Sequence, residues 1–276
     1  MKGAAMPTLT TSLGTISYTD RGEGPPLLLL HAALHDSTDY APVYDALCHS
    51  RRVVSVDWPG HGASPEPSEP LSAPQLGDLA IELVDALTLN NLVVVGNSVG
   101  GYAACRTALE RPDRVSGLVL VNNGGFTPHT PFSRGFCAAM GRPAVARSVF
   151  PLFVRAYMRP KTDDDRRVVT RVLARARTRA GGRTAAALWR SFAQPAHDLR
   201  KAGKGIAAPV LITWGTRDFT APVRWGRAVA DAIPGARLTT LPTGHVVFSS
   251  DPERWLQEVV PFVESAHRAE RPAARG

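Results

Sequence analysis

"NLVVVGNSVGGY", residues 91–102, carries an apolar run straight into a single serine set among glycines. Ser98 there is either a small turn residue or a nucleophile held on a bend too tight for other side chains. The run 91–98 reads as a strand buried on both faces, and the stretch 100–112 reads as a helix. Ser98 therefore falls on a strand-to-helix junction. A serine on such a turn has a strained backbone and needs small neighbours, and its hydroxyl is lifted clear of the sheet. The first amides of the following helix point at the same place, where with the helix N-terminal field they can stabilise a developing oxyanion. The context favours the nucleophile.

Working outward, five more apolar runs of this kind occur at 25–32, 51–58, 116–123, 208–215 and 236–242. Between them, 75–89, 100–112 and 222–234 space their apolar residues as helices do. The alternation implies an α/β fold with a mostly parallel central sheet flanked by helices. Residues 8–20 read as an antiparallel hairpin leading in. From Phe126 to Arg200 the alternation stops, and helical stretches are broken by Pro128, Pro131, Pro143, Pro151 and Pro160. The expected division is a core domain, 1–125 and 201–276, with an inserted helical cap, 126–200, over one end of the sheet.

A chain of 276 residues can bury one large core with room for that insertion. Its formal charge is +8, and the excess is local. Residues 126–200 hold fifteen Lys or Arg against four acids, whereas the rest has seventeen against twenty. The charge reads as a solvated helical face, with attraction of anionic substrates or surfaces as the alternative. Zinc-finger, phosphate-loop and RNA signatures are absent, so no nucleic-acid partner is expected. No apolar run reaches the roughly 18 residues of a membrane span, and residues 1–14 lack the apolar core of a secretory signal. Cys48, Cys105 and Cys137 are odd in number and lack metal-site spacing, which suggests reduced thiols in a cytoplasm. A cytoplasmic protein with a small-molecule substrate and neither cofactor nor metal is expected, its oligomeric state open. Residues 265–276 read as a frayed polar tail.

A serine hydroxyl is a poor nucleophile until a base takes its proton. His245, in "LPTGHVVFSSDPERW", follows the last expected strand, and Asp218, in "LITWGTRDFTAPV", follows the one before. Taken alone, Asp218 reads as a cap for the helix that follows it. Taken together, Ser98, Asp218 and His245 each lie just beyond a strand of a parallel sheet, and such positions share one edge. A carboxylate there could hold the imidazole tautomer and stabilise its charged form.

At these residues the chain resembles the α/β-hydrolase superfamily, in its serine-nucleophile, esterase- and lactonase-like branch with a helical lid. The landmarks are "LLLLHAALHD", "DWPGHGAS", "GNSVGG", "GTRDFTAP" and "GHVVFSSDPER", in family order over nearly the whole chain. The resemblance implies Ser98 as nucleophile, His245 as base, Asp218 as orienting acid, and the Ala33 and Val99 amides as oxyanion donors. Some members carry the acid after an earlier strand, but Asn122 and Asn123 stand there. The family's oxyanion loop usually reads His-Gly, and this chain has His31-Ala32-Ala33. If position 32 needs a backbone angle that only glycine reaches easily, the added methyl tilts the Ala33 amide. His31, Asp57 and His61 read as loop-fixing residues. Ser98 argues against the aspartate-nucleophile dehalogenases and epoxide hydrolases. Val246 stands where the C–C bond hydrolases usually carry tryptophan.

The insertion offers an apolar pocket. Phe126, Phe136, Met140, Phe153, Tyr157, Trp189 and Val246 are its candidate lining, with His35 at the edge. The expected activity is hydrolysis of a small to medium, largely apolar carboxylic ester, lactone or thioester through a Ser98 acyl-enzyme. Two alternatives remain: a lyase or cyclase using the triad as acid and base, and a small-molecule receptor with negligible turnover.

Overall fold

Leu27, Leu28, Leu29 and Leu30 are all fully buried, yet they serve two different cores. Leu28 and Leu30 pack with Val54, Val56, Val94 and Leu120 on one face of the sheet. Leu27 and Leu29 pack with Val53, Val93, Val95 and Val119 on the other. Successive side chains of a strand point to opposite faces, so a strand covered on both sides must be apolar throughout. Each leucine so buried contributes about 2 kcal/mol.

The computed structural model describes residues 6–269. In chain order its elements are β1 (Thr8–Thr11), β2 (Gly14–Arg21), β3 (Pro26–Leu30), α1 (Ala41–Cys48), β4 (Arg52–Asp57), α2 (Ala73–Ala86), β5 (Leu92–Asn97), α3 (Val99–Glu110) and β6 (Val115–Val121). Four helices follow: α4 (Pro131–Met140), α5 (Pro143–Met158), α6 (Asp163–Ala176) and α7 (Arg179–Phe192). Then come β7 (Val210–Gly215), α8 (Val223–Ala232), β8 (Arg237–Leu241), α9 (Val247–Ser250) and α10 (Pro252–Arg268). The sheet runs β1-β2-β4-β3-β5-β6-β7-β8. Pairing is parallel from β4 through β8, and β1 and β2 form the antiparallel entry. The carboxyl ends of β3, β5, β6, β7 and β8 thus lie along one edge.

One element went unread and one expectation changes. Helix α1 had no clear sequence signal, because only Val43 and Leu47 of its eight residues are buried. The C-terminal tail does not fray from residue 265, since Ser265–Arg268 form the last turn of α10 and Ala266 packs into the core. Its remainder, 270–276, lies outside the described residues.

The basic charge of α6 and α7 is not simply a solvated face. Arg171 reaches Asp36 and Asp39, Arg175 reaches Glu66, and Arg183 reaches Glu69, joining these helices to the segments that follow β3 and β4. Arg166 and Arg167 pair within α6 with Asp163 and Asp164. Among the described residues no helix is long and apolar enough to cross a membrane.

Candidate active site

Ser98 joins β5 to α3 with φ 56° and ψ −116°, a conformation that costs a non-glycine residue about 1–3 kcal/mol. The glycine frame is what admits it. A Cβ on Gly96 would lie 2.3 Å from the Gly100 carbonyl oxygen, and one on Gly100 would lie 2.3 Å from that of Leu30. Strand and helix are thus too close for any side chain at either position. The Ser98 amide donates to Val121 O at 3.0 Å, and its carbonyl accepts from Gly101, Tyr102 and Gly124 at 2.9–3.2 Å. These bonds over-determine the bend.

Asp218 and His245 meet at the same edge. His245 Nδ1 stands 2.5 Å from Asp218 Oδ2. A carboxylate only accepts, so Nδ1 carries the proton and Nε2 is left as the basic nitrogen. Asp218 Oδ1 accepts from the Thr220 amide and hydroxyl, both at 2.8 Å, and from the Ala221 amide at 3.0 Å. The local turn-capping role and the histidine-orienting role coexist on separate oxygens. Burial alone would raise the Asp218 carboxyl. The charge of His245 and the hydrogen bonds from His245, Thr220 and Ala221 outweigh it and hold the group below the usual range.

Two asparagines complete this geometry, and nothing in the sequence pattern marked their roles. Asn122, at the end of β6, donates to Asp218 Oδ2 at 2.9 Å and accepts from the Gly215 amide at 2.8 Å. Asn97, next to the serine, donates to the carbonyls of Val121 at 2.9 Å and His245 at 3.1 Å. That second bond ties the histidine loop to the strand that presents Ser98.

The loop after β3 is locked by buried imidazoles. His31 Nδ1 donates to Ala32 O at 2.7 Å, and Nε2 accepts from the Trp58 amide at 3.1 Å. His61 Nε2 accepts from the Leu34 amide at 3.1 Å, and Asp57 accepts from Ser37 and Ala63 at 2.7 Å each. Burial pushes His31 and His61 below the usual imidazole range, which keeps both neutral and able to donate and accept. Position 32 does not need glycine's freedom. The left-handed residue of this loop is Leu34, at φ 64°, and Ala32 is buried without one. Among the described residues, neither the Ala33 nor the Val99 amide has a protein acceptor. No group of three or more His, Cys, Asp or Glu side chains among them could hold a metal ion.

A family model described as the alpha/beta hydrolase family matches residues 27–258. The chain belongs to that family. An uncharacterised protein of Mycobacterium tuberculosis is 30% identical to it over 268 residues, covering 90% of this chain and 78% of that one. The pimeloyl-[acyl-carrier protein] methyl ester esterase of Nitrosomonas europaea is 29% identical, covering 88% and 98%. The crystal structure of the enol-lactonase from Burkholderia xenovorans superposes with a TM-score of 0.74 at 25% identity, covering 94% and 100%. Family membership places this alpha/beta hydrolase among hydrolytic enzymes.

The expected pocket residues do not form one group. Phe126 is a correction. It is 1% exposed in the core that holds α2 and α3, packed against Gly203, because the chain dives back into that core after β6. His35 is not an open pocket edge either, since both its ring nitrogens are engaged inside the protein. Met140 and Val246 are fully buried in the opposite core. Phe136, Phe153 and Trp189 are half-buried and meet edge to face, with Phe136 centroids 6.1 Å from Phe153 and 5.2 Å from Trp189. Tyr157 lies against His245, with ring centroids 5.2 Å apart.

Proposed function

We propose that this alpha/beta hydrolase is a serine hydrolase that cleaves a small to medium, largely apolar carboxylic ester, lactone or thioester. The observation that carries the reading is the 2.5 Å His245–Asp218 contact, on a loop that Asn97 binds to the strained serine bend. The Ser98 hydroxyl attacks the carbonyl carbon while His245 Nε2 takes its proton. The oxyanion is received by the Ala33 and Val99 amides, at the N-terminus of α3 where the helix field favours negative charge. His245 returns the proton to the leaving alcohol or thiol, and an acyl-Ser98 ester remains. Water, deprotonated by the same imidazole, then releases the acid and regenerates the serine. Residues 126–200 act as a cap, and the Phe136, Phe153 and Trp189 cluster makes the substrate side apolar and excludes water.

Fluorophosphonate treatment followed by mass spectrometry tests this directly. Stoichiometric labelling at Ser98, lost in His245→Ala, is expected, with turnover in an ester, lactone and thioester screen that Ser98→Ala abolishes. Undiminished turnover in Ser98→Ala overturns the reading. Product formed without solvent oxygen in the acid would point instead to a lyase.

A further inference from the structure

A second buried histidine–aspartate pair lies beside the first. His35 Nδ1 is 2.5 Å from Asp39 Oδ2, and each side chain is 1% exposed. Asp39 can only accept, so His35 Nδ1 carries a proton, and its Nε2 lies 3.0 Å from the Tyr157 hydroxyl. Burial raises the Tyr157 phenol well above its usual range, helped by the nearby charges of Asp39 and Asp218, so it stays a proton donor. Arg171 grips the far end, with its Nη2 2.8 Å from Asp39 Oδ1 and its Nε 3.0 Å from Asp36 Oδ2. The result is a continuous chain, Arg171–Asp39–His35–Tyr157, running from α6 through the loop after β3 to α5.

Tyr157 ends that chain against His245. Its carbonyl accepts from the His245 amide at 3.0 Å, and its ring meets the imidazole edge to face at 70°. Simple attachment of the helices to the core does not require this arrangement. Asp165 already binds Ser249 and Ser250, and Lys161 binds Pro242 O, at the same junction. Buried charges are weak contributors to stability because desolvation offsets their attraction. A fully satisfied network does, however, hold one side-chain geometry.

We infer that the His35–Asp39 pair, clamped by Arg171, is a positioning unit that holds the Tyr157 ring against His245. It thereby keeps the imidazole in the rotamer that serves both Asp218 and Ser98. The inference rests on the proposed role of Ser98, yet its first readout needs no turnover.

Tyr157→Phe keeps the ring and removes the hydroxyl. The His245 imidazole is titrated by NMR in this variant and in the unaltered protein, alongside thermal melting and ester kinetics. A moved His245 titration is expected, with kcat lowered about tenfold, KM within about twofold and the melting temperature retained. An unchanged titration with unchanged kcat overturns the inference. So does a lowered melting temperature with full kcat per folded molecule, which is what mere attachment would give. A moved titration in a protein that turns over no ester, lactone or thioester supports the positioning role and removes the hydrolase reading. If Tyr157→Phe does not fold, Arg171→Lys probes the other end, since lysine keeps the charge and loses the fork. A loss of about threefold in kcat with a moved titration is expected there, and no change in either overturns the inference.

Discussion

The two histidine–aspartate pairs have the same Nδ1–Oδ2 distance, 2.5 Å, and different surroundings. At Asp218 the remaining hydrogen bonds come from neutral donors, the Asn122 amide and the Thr220 and Ala221 groups. At Asp39 the second oxygen faces the guanidinium of Arg171. A carboxylate already paired with a fixed cation has less field left to stabilise an imidazolium on its other side. The far nitrogens differ too. His35 Nε2 is closed off by Tyr157, whereas the His245 side chain keeps 11% of its surface open. A buried His–Asp contact is therefore not a catalytic signature by itself. The charge behind the carboxylate and the group in front of Nε2 decide what it can do.

The strongest test of that contrast replaces each carboxylate by its amide. Asp218→Asn should lower kcat about 10^4-fold, because the tautomer and the stabilising charge are both lost. Asp39→Asn should cost no more than about tenfold, acting only through Tyr157. Comparable losses in steady-state ester turnover would break the comparison.

A further buried histidine shows what burial does when no carboxylate is hydrogen-bonded to the ring. His197 stacks on Tyr102 with centroids 4.6 Å apart, and its Nε2 has no partner among the described residues. Burial chiefly lowers it, to about 4 from 6.5. Because the folded value lies below the unfolded one, this group's stabilisation is present above pH 6.5 and lost progressively as the pH falls towards 4. Between pH 7 and 5 the loss is about 2 kcal/mol. His197→Phe, which keeps the stack, should show a smaller drop in melting temperature over that interval. An identical drop would show that another group is responsible.

The last of these effects concerns Asn122. Asn122→Ala removes a donor to Asp218 and an acceptor for Gly215, and should lower kcat about tenfold, roughly 1.4 kcal/mol, with KM unchanged. Unchanged kcat would mean that Thr220 and Ala221 suffice to orient the carboxylate.

Much of the fold was legible in the chain because its signals are local. A strand covered on both faces must be apolar at every position, as Leu27–Leu30 are. A bend where Gly100 passes against Leu30 O cannot carry a side chain, and the spacing of Gly96, Ser98 and Gly100 records it. The order Ser98, Asp218, His245 was readable because each residue follows a strand of one parallel sheet. The pocket was less legible. Phe126 and Phe136 look alike in a run of aromatic residues, and only the path of the chain after β6 separates a core residue from a half-buried one.

By itself, the sequence determined the alternation of elements, the glycine-framed bend and the placing of Ser98, Asp218 and His245 each after a strand. Backbone sterics and hydrophobic periodicity act within a few residues, so a short stretch contains all the information needed. Tertiary structure alone decided that Arg171 meets Asp39, that Asn122 serves Asp218 and that Tyr157 stands against His245. These partners lie 132, 96 and 88 positions apart. Their meeting depends on how whole helices settle on the sheet, which no local pattern encodes.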